Sequence, residues 1–135
     1  MIAFDTNVLL RLLLNDDRHQ VQKAQALIDQ AVSSSDKVLL PDIVLCEIEW
    51  VLSSFYKVPR PELADTIRRL INSQAFAFQD RTTIVEALGS YEIGRAEFSD
   101  YLIGASAARV GAVTTYTFDR ALRRTEGFTL VFRHS

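Results

Sequence analysis

Four of the 17 acidic residues in this 135-residue chain stand where ordinary solvation does not account for them. Asp5 follows the apolar run 1–4, which reads as a buried strand, and a carboxylate just beyond a strand end lies where α/β folds place their ligands. Glu47 sits within Leu45-Cys46-Glu47-Ile48, in the most apolar helix of the middle of the chain. Asp100 falls within Phe98-Ser99-Asp100-Tyr101-Leu102-Ile103, and Asp119 closes Tyr116-Thr117-Phe118-Asp119. Carboxylates are seldom buried unless paired or bound to a metal. Each has a plain alternative: Asp5 and Asp119 could cap helices, Glu47 could pair with Arg11, and Asp100 could be a tolerated helix-start acid. Glu49 competes with Glu47, since two residues apart on a helix they point roughly 200° apart. The apolar neighbours Ile43, Val44 and Val51 favour Glu47 as the one facing the fold.

If the four meet, their chemistry is restricted. Like charges within ~4–6 Å disfavour joint ionisation. Either protons are shared or a divalent cation neutralises the group, and all-oxygen ligands suit Mg²⁺ or Mn²⁺ over zinc. A proton-sharing pair would serve glycoside or peptide hydrolysis, but four acids exceed what those reactions need. No other site competes. His19 and His134 are isolated surface candidates, the single cysteine, Cys46, permits no CxxC motif, and no P-loop, GxGxxG or nucleophile elbow occurs.

Short apolar strands alternating with helices must position these acids. Helix is expected over 8–14, capped by Thr6 or Asn7, then over 18–32 after Asn15-Asp16-Asp17, with Val21, Ala24, Leu27, Ile28 and Ala31 on one face. A strand over 37–40 ends at Pro41. Asp42 should cap a helix over 43–56 whose core candidates are Ile48, Trp50, Val51, Leu52 and Phe55. Pro61 opens a helix over 62–72, and residues 76–78 form a third strand. A helix over 81–94 is expected to be interrupted at Gly89. One over 98–110, rich in small residues, should be buried on several sides and end at Gly111. A fourth strand (112–116), a short helix (118–124) and an edge strand (128–132) complete one α/β domain with a mostly parallel sheet.

Composition agrees with one globular domain: 48% hydrophobic, 24% charged and a formal net charge of −2. The balance does not advertise a nucleic-acid binder, yet 12 of the 15 basic residues are arginine, the side chain suited to bidentate phosphate contacts. Arg120, Arg123, Arg124 and Arg133 crowd one end, and Arg60, Arg68 and Arg69 form a second group. The apolar run 8–14 is broken by Arg11 and too short to span a bilayer, so neither signal peptide nor membrane anchor is expected. A lone cysteine excludes a disulfide within the chain and suits a cytoplasmic setting.

Asp5-Thr6-Asn7 after a strand, Val44-Leu45-Cys46-Glu47-Ile48, Phe98-Ser99-Asp100-Tyr101-Leu102-Ile103 and Thr117-Phe118-Asp119 together resemble the PIN-domain ribonucleases. Within that family the small toxins of VapBC toxin–antitoxin systems are most similar, and the resemblance spans essentially the whole chain. It implies a three-layer fold with a central parallel sheet of order 3-2-1-4-5. It also implies a Mg²⁺- or Mn²⁺-dependent endoribonuclease that cleaves a tRNA or rRNA loop by metal-activated water, leaving a 5′-phosphate and a 3′-hydroxyl. Asp5, Glu47, Asp100 and Asp119 match the family's acidic positions, with Asp5 and Asp100 at its principal metal ligands. Asn7 and Thr117 match supporting residues, and Thr6 is expected to hold a carboxylate rotamer beside them. A small VapB-like antitoxin and a second copy of the chain are the implied partners.

From the residues themselves, Arg120 and Arg123 are the first candidates to bind RNA phosphates. Tyr101 and Tyr116 could stack a base, with core packing the plainer role for both. Two alternatives remain at this point: a PIN-like nuclease of RNA maturation, and a catalytically silent PIN-like binding module.

Overall fold

A computed structural model describes residues 1–131 of the chain. Phe132, Arg133 and His134, which figure in the expectations above, lie outside the described residues. The elements run β1 (Ile2–Ala3), α1 (Thr6–Leu14), α2 (Arg18–Ser33), β2 (Val38–Leu39), α3 (Asp42–Ser54), α4 (Arg60–Asn72), β3 (Phe76–Ala77), α5 (Arg81–Ile93), α6 (Phe98–Arg109), β4 (Thr115–Thr117), a 3-10 turn (Arg120–Leu122) and β5 (Phe128–Leu130). This is an α/β fold, as expected. No helix among the described residues is long and apolar enough to cross a membrane.

All strand pairs among the described residues are parallel. Ile2 pairs with Val38, and Val38 with Phe76, giving the order 3-2-1. Thr115 pairs with Phe128 in a separate β4–β5 ladder. The expected single sheet of order 3-2-1-4-5 is not confirmed: its parts 3-2-1 and 4-5 stand as separate ladders, and the described residues contain no ladder between β1 and β4. One consequence is visible in β1. Met1, Ile2 and Ala3 are exposed and only Phe4 is buried, so the buried strand expected over 1–4 reduces to its last residue.

Helix starts are set by short polar side chains accepting backbone N–H groups left without partners in the first turn. Asp5, rather than Thr6 or Asn7, caps α1, and Asp17 and Asp80 cap α2 and α5. Pro41 precedes α3, so Asp42 lies in its first turn instead of capping it. Gly89 does not interrupt α5, because it faces solvent and its missing side chain leaves no gap to fill. Gly111 follows α6 with φ 101°, a left-handed conformation that favours glycine. Only the first half of α6 is deeply buried, through Phe98, Tyr101, Leu102 and Gly104. Gly104 lets the Phe128 ring of β5 lie against the helix, where a Cβ would meet Cε2 at 2.5 Å.

In α3 the buried stripe is Leu45, Ile48, Glu49 and Leu52, the i, i+3, i+4, i+7 positions of one face. Burial of each large aliphatic in it contributes about 1.5–3 kcal/mol. Trp50 and Phe55, expected in the core, lie off that stripe. They are 48% and 68% exposed and contact each other edge to face at 5.5 Å. The α1–α2, α1–α3, α4–α5 and α5–α6 pairs pack around the main core.

Candidate active site

The four acids all lie toward solvent: Asp5, Glu47 and Asp119 are exposed, and Asp100 is half-buried. The expectation that Glu47 faces the fold is therefore corrected. It lies one position before Ile48, off the buried stripe, whereas Glu49 occupies the stripe and is 4% exposed.

Each acid is oriented by one of its two carboxylate oxygens. Asp5 Oδ1 accepts the Val8 N–H at 3.0 Å as the cap of α1. Glu47 Oε1 accepts the Thr6 hydroxyl at 2.7 Å, which ties α3 to the first turn of α1 beside Asp5. Asp100 Oδ2 accepts the Glu97 N–H at 3.1 Å, the returning half of a capping box at the start of α6. Asp119 Oδ1 accepts the Ala121 N–H at 2.9 Å, and its own N–H donates to Thr117 Oγ1 at 3.0 Å. The second oxygen of each acid accepts no hydrogen bond among the described residues.

Cys46, half-buried, precedes Glu47 in α3. Its thiol is pushed up to about 11, first by burial and then by the charges of Asp42, Glu49, Asp100 and Glu47. The Thr6 hydroxyl links the residue after Asp5 to Glu47. Among the described residues Asp119 is held only by its local turn, at the end of a ladder that does not join β1. The donor chemistry, hard oxygens with one free on each acid, fits a divalent cation of the Mg²⁺ class. The spacing is looser than the donor chemistry: no three His, Cys, Asp or Glu side chains among the described residues stand close enough together to hold one.

The remaining candidates separate clearly. Asn7 lines an apolar groove between α1 and α2 with Val8, Arg11, Ala24 and Leu27. Arg11 is engaged by Asp16 at 3.0 Å and not by Glu47. Arg68 pairs with Asp65 and Glu92. Arg120 and Arg123 are exposed and line a groove with Arg95 and Arg124, none of them in an ion pair among the described residues. Tyr101 is packed, its hydroxyl accepting the Ala96 N–H at 3.2 Å, whereas Tyr116 is 68% exposed in contrast to the core packing expected of it. His19 is exposed, as expected.

Two acids were missed. Glu49 Oε1 accepts the Phe98 N–H at 3.2 Å, and Oε2 accepts the Tyr91 hydroxyl at 3.4 Å. Burial pushes the Glu49 carboxyl above its ordinary value against the opposing pull of the Phe98 N–H. Its membership of the 45-48-49-52 stripe was the available signal. Asp42 is also raised by burial, with Asp80 adding to the effect, and its Oδ1 is buried without a partner among the described residues.

Comparison with known proteins gives two findings. The family model described as PIN domain matches residues 2–127. A VapC ribonuclease of Aquifex aeolicus (strain VF5) is 24% identical over 124 residues, covering 92% of this chain and 91% of that protein.

Proposed function

We propose, from the premise that this chain belongs to the PIN domain family, that it is a divalent-metal-dependent endoribonuclease and the toxin of a toxin–antitoxin pair. Asp5, Glu47, Asp100 and Asp119 would hold Mg²⁺ or Mn²⁺, with Asp5 and Asp100 as the principal ligands. The observation that carries the reading is the shared state of these acids: each has one oxygen fixed by an N–H or O–H and, among the described residues, the other without a hydrogen bond. A hard divalent cation, when bound, supplies charge neutralisation at the phosphodiester and acidification of water.

The chain's own residues do the rest. Thr6 fixes the Glu47 rotamer, the Val8 N–H fixes Asp5, and the Thr117 hydroxyl sets the turn that presents Asp119. Glu47 and Asp119 would orient the attacking water and accept its proton. Arg120 and Arg123 bind phosphates flanking the cleaved bond.

The Aquifex aeolicus relative is named a VapC ribonuclease, which supports RNA as substrate and a small VapB-like antitoxin as partner. Exposed Leu27, Ile43, Trp50, Phe55 and Tyr56 on α2, α3 and the turn after it supply apolar surface for that antitoxin. A second copy of the chain is the other proposed partner. The test is incubation of purified protein with total cellular RNA and Mn²⁺, with chelator and Asp5→Asn controls and mapping of the cleaved ends. Cleavage that persists in either control would overturn the proposal.

A further inference from the structure

Glu49 lies two residues beyond Glu47 in α3 and accepts the N–H of Phe98, two residues before Asp100 in α6. The hydrogen bond therefore joins the two helices that carry Glu47 and Asp100, at equal offsets from both acids. Around it the connection between α5 and α6 is held from several sides. The Tyr91 hydroxyl donates to the second Glu49 oxygen. The Arg60 guanidinium stacks 3.8 Å above the Tyr91 ring and donates to the carbonyls of Tyr91 and Ala96 at 3.1 and 2.5 Å. Tyr91 and Phe98 are 1% and 0% exposed and meet edge to face.

From this arrangement we infer that Glu49 is a positioning residue, which sets where the first turn of α6 presents Asp100 relative to Glu47. The inference rests on the proposed metal-dependent site. The Phe98 N–H is one of the donors that a helix start leaves without an intrahelical partner, and a carboxylate there also complements the helix dipole. A side chain needed only to fill this space would be apolar. A carboxylate fixes direction as well, because both of its oxygens are engaged, one by each of two different elements. Slippage of α6 relative to α3 would break the Phe98 bond first and displace Asp100 with it.

The test compares Glu49→Gln, which keeps an acceptor for Phe98, with Glu49→Leu, which removes it. Tyr91→Phe serves as a milder variant that loosens one anchor while leaving the carboxylate. Each folded variant is titrated with Mn²⁺ by calorimetry without RNA, and RNA cleavage is measured separately. Glu49→Leu is expected to weaken Mn²⁺ binding by roughly 10- to 100-fold and to lower kcat with KM little changed. Glu49→Gln should stay within about threefold of the parent, and Tyr91→Phe should fall between the two, following the effect of supporting hydrogen bonds on ligands. If Glu49→Leu does not fold, Tyr91→Phe decides, and unchanged Mn²⁺ affinity in it overturns the inference. A folded Glu49→Leu with parental Mn²⁺ affinity also overturns it, while cleavage by the parent leaves the proposed function standing. A parent that neither binds Mn²⁺ nor cleaves RNA overturns both.

Discussion

The Thr6 hydroxyl donates to Glu47 Oε1 at 2.7 Å across 41 residues of sequence. It joins the residue after Asp5 to the acid that α3 turns toward solvent, and so connects two parts of the candidate site through one neutral donor. Thr6→Val keeps the shape and removes the donor. RNA cleavage should fall by roughly 10- to 100-fold, the range for loss of a supporting hydrogen bond, and Thr6→Ser should restore most of it. Parental kcat in a folded Thr6→Val protein would remove this role.

Asp5 has two roles that substitution can separate. Asn accepts the Val8 N–H about as well as Asp does, whereas Ala does not, at a cost of about 1 kcal/mol. Both Asp5→Asn and Asp5→Ala should abolish cleavage, but only Asp5→Ala should lower stability in denaturant titration. Loss of stability in the Asn variant equal to that in the Ala variant would contradict the capping geometry.

The Cys46 thiol, held at about 11, should react slowly with a disulfide reagent at mildly alkaline pH. Asp100→Asn or Glu47→Gln removes one of the charges that raise it, so either should increase the thiolate fraction and the rate. The pH dependence of thiol release measures this directly, and an unchanged profile in both variants would remove these two acids as causes of the raised thiol.

Asp80 is held below its ordinary value of 3.8, first by the Thr83 N–H and also by Arg109, whose Nε donates to it at 3.0 Å. In the window between the lowered value and 3.8 the unfolded chain binds the extra proton, so stability rises with pH there. The contribution is complete above 3.8 and is lost as pH falls through the lowered value. Melting temperatures of the parent and of Asp80→Asn, followed from neutral to strongly acid pH, should converge on acidification. A gap that stays constant would dismiss the linkage.

Arg120→Ala and Arg123→Ala should each reduce the slope of log affinity against log salt for single-stranded RNA by roughly 0.7. Arg60→Ala should instead lower stability, since its guanidinium is engaged by Tyr91 and Ala96. Salt-dependent binding isotherms together with thermal melts distinguish the two kinds of arginine. Composition alone could not do so, because a solvated arginine and a packed one have the same residue type.

The alternation of strands and helices was legible because each apolar run was bounded by Asp, Pro or Gly with a definite local role. Asp17, Pro41 and Gly111 do at helix boundaries what their side chains allow. The expected burial of Glu47 shows where reasoning from neighbours went astray. Apolar residues next to Glu47 indicated a buried helix, but which side of it was buried followed from the spacing of Leu45, Ile48 and Leu52, and that spacing includes Glu49. The hydrogen bond from Thr6 to Glu47 and the cradle of Glu49, Tyr91 and Arg60 were not legible, because their partners lie 31 to 42 residues apart with no periodic trace.

Asp5 and Asp119 begin helical segments with the same carboxylates proposed to serve the chemistry, and Asp100 supports the start of its own helix. Mutational drift at these positions is therefore channelled. A descendant copy released from selection for catalysis should accumulate Asn or Ser at positions 5 and 119 sooner than Ala or Leu, because only the former still start the helix. Inactive descendants would then keep a polar imprint of the lost site, recognisable long after their chemistry had gone.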